Sequence, residues 1–89
     1  MTPGEKIKAL REVAGLTQED LAAALQRKFH GCNITRYMIA NWERNRHEPH
    51  WPTAKILVQF FNITLDDLFF ENRNPLKAFK PPKNKLRAA

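Results

Sequence analysis

The stretch Leu16-Thr17-Gln18-Glu19-Asp20-Leu21-Ala22, continued by Ile34-Thr35-Arg36 and Ile39-Ala40-Asn41-Trp42-Glu43-Arg44, decides the fold. Thr17 followed three residues later by Asp20 is a helix-start signal, with Asp standing where Glu or Gln is usual. Leu21, Leu25 and Phe29 then recur every fourth residue, so one face of this helix is apolar, and Gly31 ends it. Thr35 opens a second helix whose Ile39 and Trp42 point inward. That helix gives way to the polar run Arg44-Asn45-Arg46-His47 before Pro49.

Working outward, Thr2-Pro3-Gly4-Glu5 is a capping box with Pro at the first helical position. It starts a helix carrying Ile7, Leu10 and Ala14 on one face and stopping at Gly15. On the other side, Trp51-Pro52-Thr53 begins a helix running to about Phe61, since Pro is tolerated in a first turn. Thr64 caps a short helix from Leu65 to about Phe70, with Asp66 and Asp67 suited to its positive end. Beyond Asn72, prolines at 75, 81 and 82 argue against a continuous helix. No segment alternates with period two and nothing repeats, so the expectation is an all-α chain of five helices.

The 89 residues suit one small domain, 43% hydrophobic and 27% charged, which should fold. A single Cys excludes an internal disulfide framework and points to a reducing compartment. No apolar run approaches the ~20 residues that span a bilayer, and MTPGEKIKAL is too polar for a signal peptide. The expected location is cytoplasmic, with no membrane partner.

The net charge of +6 is unevenly placed. Residues 1–71 balance, whereas 72–89 hold Arg73, Lys77, Lys80, Lys83, Lys85 and Arg87 and no acid. The expected division is therefore a domain over 1–72 and a basic, Pro-containing tail over 73–89. Within the balanced part, Arg27, Lys28, Arg36, Arg44 and Arg46 face only Glu43 between positions 27 and 46. Such a pattern fits a polyanionic partner, nucleic acid first, or else a solvated face.

The quoted stretch, with Pro49, Leu57, Asn62-Ile63, Thr64-Leu65-Asp66 and Leu68, resembles the helix-turn-helix domain of the phage repressor/Cro group. That group includes the xenobiotic-response-element (XRE) type, or Cro/C1-type, regulators. The resemblance covers roughly residues 4–70 in register and implies a lambda-repressor-like fold that binds double-stranded DNA. One departure separates the two central helices. Seven extra residues fall between Gln26 and Asn33, read as five that lengthen helix two and two that lengthen the turn. The five would add ~7.5 Å of helix and a basic ledge at Arg27 and Lys28 near the DNA backbone.

On the helix after Thr35, Arg36, Tyr37 and Asn41 fall opposite Ile39 and Trp42, with small Ala40 between them and Met38 at the border. Arg can fork onto guanine, Asn can pair bidentately with adenine, and Tyr can offer a hydroxyl or pack on a thymine methyl. The resemblance places these residues at base-reading positions. It gives Gln18, in the first turn of helix two, a phosphate, as a helix N-terminus favours. Thr35, Arg44, Asn45 and Arg46, with Arg27 and Lys28, are the further expected phosphate contacts. By the same resemblance Glu43 pairs with Arg11, a structural tie from helix one to the end of the reading helix.

Other chemistries are weaker. His30, Cys32, His47 and His50 fit no standard zinc spacing, so no metal or cofactor is expected. No Gly-rich phosphate loop, acid pair or oxyanion signature supports an enzyme or a small-molecule substrate. Ile56 and Phe60 lie one turn apart beside the expected core face of Leu57 and Phe61, a second stripe suited to a dimer interface, a seat for Leu76 and Phe79, or a wider core. The tail reads as an arm along the phosphates or as a solvated segment. The functional expectation is a homodimeric transcriptional regulator, a repressor at a pseudo-palindromic operator. The alternative is an antitoxin-like module whose main role is to hold a protein partner.

Overall fold

Threonine hydroxyls start most of the helices, each accepting from the backbone three residues on. In the computed structural model, which describes residues 1–80, Thr2, Thr17 and Thr64 each form a complete capping box, with Glu5, Asp20 and Asp67. They open α1 (Pro3–Val13), α2 (Gln18–Lys28) and α5 (Leu65–Phe69). Thr35 caps α3 (Arg36–Glu43) by accepting from the Met38 amide at 3.3 Å. α4 (Trp51–Phe61) begins with Pro52 in its first turn and ends on Asn62 in the left-handed region, φ 56°. Lys83, Lys85 and Arg87 of the expected basic tail lie outside the described residues.

Two expectations change. Helix two stops at Lys28, because Phe29 turns extended (φ −117°, ψ 95°) after its amide donates to the Leu25 carbonyl. The ring packs against the core from a cap position, so fewer of the extra residues are helical than the fourfold spacing suggested. Gly31 at φ 82° reverses the chain, and Gln26 Nε2 donates to the Ile34 carbonyl at 2.7 Å, fixing the way into α3. The second change is a sixth helix, α6 (Pro75–Ala78), beyond the five expected. Pro75 sits at its first position and the Asn74 side chain accepts from the Leu76 amide at 3.0 Å. A proline that cannot continue a helix can begin one.

α3 lies against both α1 and α2, and α4 and α5 close the far side. Leu10, Leu21, Leu25, Ile39, Leu57, Phe61 and Leu68 are buried at the centre, drawing on α1 to α5. Phe79, just past α6, is also in this core, with its ring edge-on to Phe61 at 5.3 Å. At Gly4, α1 touches the end of α3 backbone to backbone. A Cβ there would stand 2.0 Å from the Trp42 carbonyl oxygen, so the position admits only glycine without a shift.

Lys6, polar and without an expected role, is 0% exposed. Its ammonium donates to the carbonyl of Asp67 at 2.8 Å and to that of Phe70, occupying acceptors at the C-terminal end of α5. Burial pushes the Lys6 pKa down, and the Asp67 charge opposes that shift. Arg73 reaches back to the Asp67 carboxylate, Nη2 at 2.8 Å and Nε at 3.1 Å. Residues 73–79 are thereby laid on the helical body.

The Thr64 amide, ahead of the partly exposed Arg73, holds the Asp67 carboxyl below its ordinary value of 3.8. A depressed carboxyl stabilises the fold above that ordinary value and ceases to as pH falls through the folded one. Asp67→Asn should therefore lower stability at neutral pH and flatten the loss of stability below about pH 4. Urea unfolding between pH 2 and 6 reads this, and an acid limb unchanged by the substitution would assign it to other carboxylates.

Candidate nucleic-acid interface

Glu43, the last residue of α3, keeps only 5% of its side chain exposed and accepts from three donors. Arg11 grips it bidentately, Nε to Oε2 at 2.8 Å and Nη2 to Oε1 at 2.9 Å. Gln18 Nε2 adds a third bond at 3.0 Å. The remaining Arg11 nitrogen donates to the Leu16 carbonyl at 2.8 Å, so one guanidinium links α1, the α1–α2 turn and α3. The hydrogen bonds to Glu43, ahead of the burial that opposes them, raise the Arg11 pKa above its ordinary value.

The lock fixes how α3 presents its outer side. Arg36 and Tyr37 are exposed, Ala40 and Asn41 half-buried, and Arg44 follows one turn on. With Gln18 and Arg46 they line one open groove. The Arg36 guanidinium lies 4.9 Å from the Tyr37 ring centroid and donates to the Tyr37 hydroxyl at 3.0 Å. Met38 is half-buried against the core beside this face. Asn45 takes a left-handed φ of 60°, and the Arg46 amide donates to the Asn41 carbonyl at 3.0 Å. That turn sets Arg44 and Arg46 at the end of the helix, both exposed.

The expected phosphate contacts do not all gather here. Thr35 is exposed at the start of α3, while the Gln18 amide is turned toward Glu43. Arg27 is exposed on the last turn of α2. Lys28 goes to α4: its Nζ lies 5.6 Å from the Phe60 ring centroid and 5.9 Å from that of Phe29. Phe60 and Ile56 are half-buried against the core, Phe60 edge-on to Phe61 at 5.1 Å. The extra residues of helix two thus pack partly on α4.

Two residues without an expected role stand out. Glu19, one position after Gln18, brings a carboxylate 76% exposed to within 3.5 Å of Arg36. Its place in the first turn of α2, against the start of α3, is the signal that could have found it. Trp51, 66% exposed, opens α4 beyond the Arg44–Arg46 turn. Among the described residues no group of three His, Cys, Asp or Glu side chains could hold a metal ion, and no helix is long and apolar enough to cross a membrane.

A family model described as a helix-turn-helix domain matches residues 4–70. The HTH-type transcriptional activator BcrR of Enterococcus faecalis is 32% identical, a match covering 82% of this chain and 37% of that protein. An uncharacterized HTH-type transcriptional regulator of Methanocaldococcus jannaschii is 31% identical, covering 72% of this chain and 86% of its own length. The chain therefore spans little more than a third of the Enterococcus relative. No solved structure gives a significant match.

Removing one half of a buried ion pair leaves the other charge without compensation, whereas replacing both halves by apolar groups costs less. Arg11→Ala should destabilise the fold by about 3–5 kcal/mol, and Arg11→Met combined with Glu43→Leu by less. Chemical denaturation of the single and double variants measures both. Equal losses would show that the Leu16 carbonyl bond, and not the pair, carries the effect.

Proposed function

The chain belongs to the helix-turn-helix domain family, and on that premise we propose that it is a sequence-specific double-stranded DNA-binding regulator of transcription. The observation that carries the proposal is the outer face of α3, where Arg36, Tyr37 and Asn41 stand around Ala40 on a helix fixed by Glu43. A helix enters the major groove with side chains near its N-terminus on base edges. Small Ala40 lets the helix approach, and Arg36 and Asn41 are the residue types that fork onto guanine and adenine. Met38 borders this reading surface.

Arg44, Asn45 and Arg46 are proposed to meet phosphates at one end of the helix and Thr35 at the other, setting register rather than sequence. Gln18 would turn from Glu43 to a phosphate, leaving Arg11 to hold the carboxylate. Arg27 is a further phosphate contact in this reading, whereas the rings beneath Lys28 favour a packing role for it.

The finer reading is a cytoplasmic, non-enzymatic repressor that binds a pseudo-palindromic operator as a homodimer. The half-buried Ile56 and Phe60 are the proposed contact between copies. The Enterococcus relative carries "activator" in its name over a much longer chain. The sign of regulation is therefore read with a promoter fusion: lower output on expression supports repression, and higher output reverses it.

Arg36→Ala should cost about 1–3 kcal/mol at one base position and relax preference there. Duplexes selected from a random library by the wild-type chain provide the test. An enriched two-fold motif with half-sites ~34 Å apart supports the dimer, and recovery of unenriched DNA overturns the regulator reading. An Arg36→Ala loss equal on all sequences would move that residue to a phosphate. Ile56→Ser with Phe60→Ser should lower self-association in sedimentation while the monomer stays folded; loss of the fold would assign both residues to the core.

A further inference from the structure

We propose that Glu19 is a specificity-determining positioning residue, one that keeps Arg36 available to a base edge and away from the phosphates. The inference rests on the DNA-binding reading above. An arginine at the front of a basic groove meets two competing acceptors in DNA. The phosphates attract it on every sequence, and a guanine edge does so at one position. Which acceptor it takes depends on what already surrounds it.

Here the surroundings are built. Arg36 Nη2 donates to the Tyr37 hydroxyl at 3.0 Å, the guanidinium lies over the Tyr37 ring, and Nη1 stands 3.5 Å from Glu19 Oε2. An exposed pair at that distance adds little to stability. Its consequence lies in geometry and charge. Arg carries five N–H donors in a rigid plane, so two directions held by the protein still leave a fork for guanine. Glu19 also shares with Arg36 two shallow surfaces beside the groove, one with Thr17 and Gln18 and the other with Ala22, Ala23 and Gln26. A phosphate approaching Arg36 there meets an anion, while the neutral O6 and N7 of guanine do not. Moving Arg36 to a phosphate only exchanges one anionic partner for another. The carboxylate therefore penalises the sequence-independent mode more than the specific one.

The test uses the full chain and two duplexes, the selected site and a scrambled sequence, over a series of salt concentrations. Glu19→Gln should bind the scrambled duplex roughly 2–5-fold more tightly without a matching gain on the selected site, so the ratio falls. Its salt dependence on scrambled DNA should steepen by about one ion, as Arg36 takes a phosphate. Repeating the substitution in an Arg36→Ala background isolates the coupling, and there the change in ratio should vanish. An unchanged ratio in Glu19→Gln, or the same change with and without Arg36, overturns the inference while leaving the regulator reading intact. A wild-type chain that prefers neither duplex overturns that reading and this inference together.

Discussion

Glu43 is a carboxylate withdrawn from water at the end of α3, and burying it is unfavourable unless its charge and lone pairs are met. Arg11 meets them with two bonds and uses its remaining reach on the Leu16 carbonyl, while Gln18 supplies a third donor. The two donor residues come from different parts of the chain. Arg11 lies near the end of α1, and Gln18 is the first residue of α2. Satisfying one carboxylate therefore sets the mutual placement of α1, α2 and α3. The outer side of α3 follows from it, because a helix whose C-terminal residue is gripped cannot roll without breaking those bonds.

A second buried charge does the same for the other end of the molecule. Lys6 lies inside, its ammonium on two carbonyls of the α5 end, and Gly4 in the same turn lets α1 approach the Trp42 backbone of α3 closely. α1 thus carries two cations for two purposes: Arg11 orients the helix that presents the groove, and Lys6 secures α5. Asp67 then joins the α5 cap to Arg73, so the chain beyond α5 returns to the core through Phe79.

What was legible in the sequence is what local chemistry writes. Thr followed at three residues by an acid marks α1, α2 and α5, and fourfold apolar spacing marks the buried sides of Leu21 and Leu25. What was not legible depends on distant partners. Lys6 looks like any surface lysine until α5 is placed above it. Phe29 continues an apolar period, yet leaves the helix because Gly31 and Gln26 turn the chain toward Ile34. α6 was hidden because Pro75 reads as a breaker unless the Asn74 cap is weighed. Lys28 belongs to a basic run in sequence and to two aromatic rings in space.

The same distinction changes the meaning of the charge count. Residues 1–71 are formally neutral, which by itself argues for no field at all. The acids are not equivalent, however. Glu43 and Asp67 are buried and bound to guanidinium groups, so they project little into solvent. Arg36, Arg44 and Arg46 are exposed along one helix and the turn that follows it. A neutral sum thus folds into a polar surface with a cationic side, and Glu19 sets an exposed carboxylate against Arg36. A nearby charge acts on a phosphate within about 10 Å at moderate salt. The balance felt by DNA would therefore be set by these few side chains and not by the total.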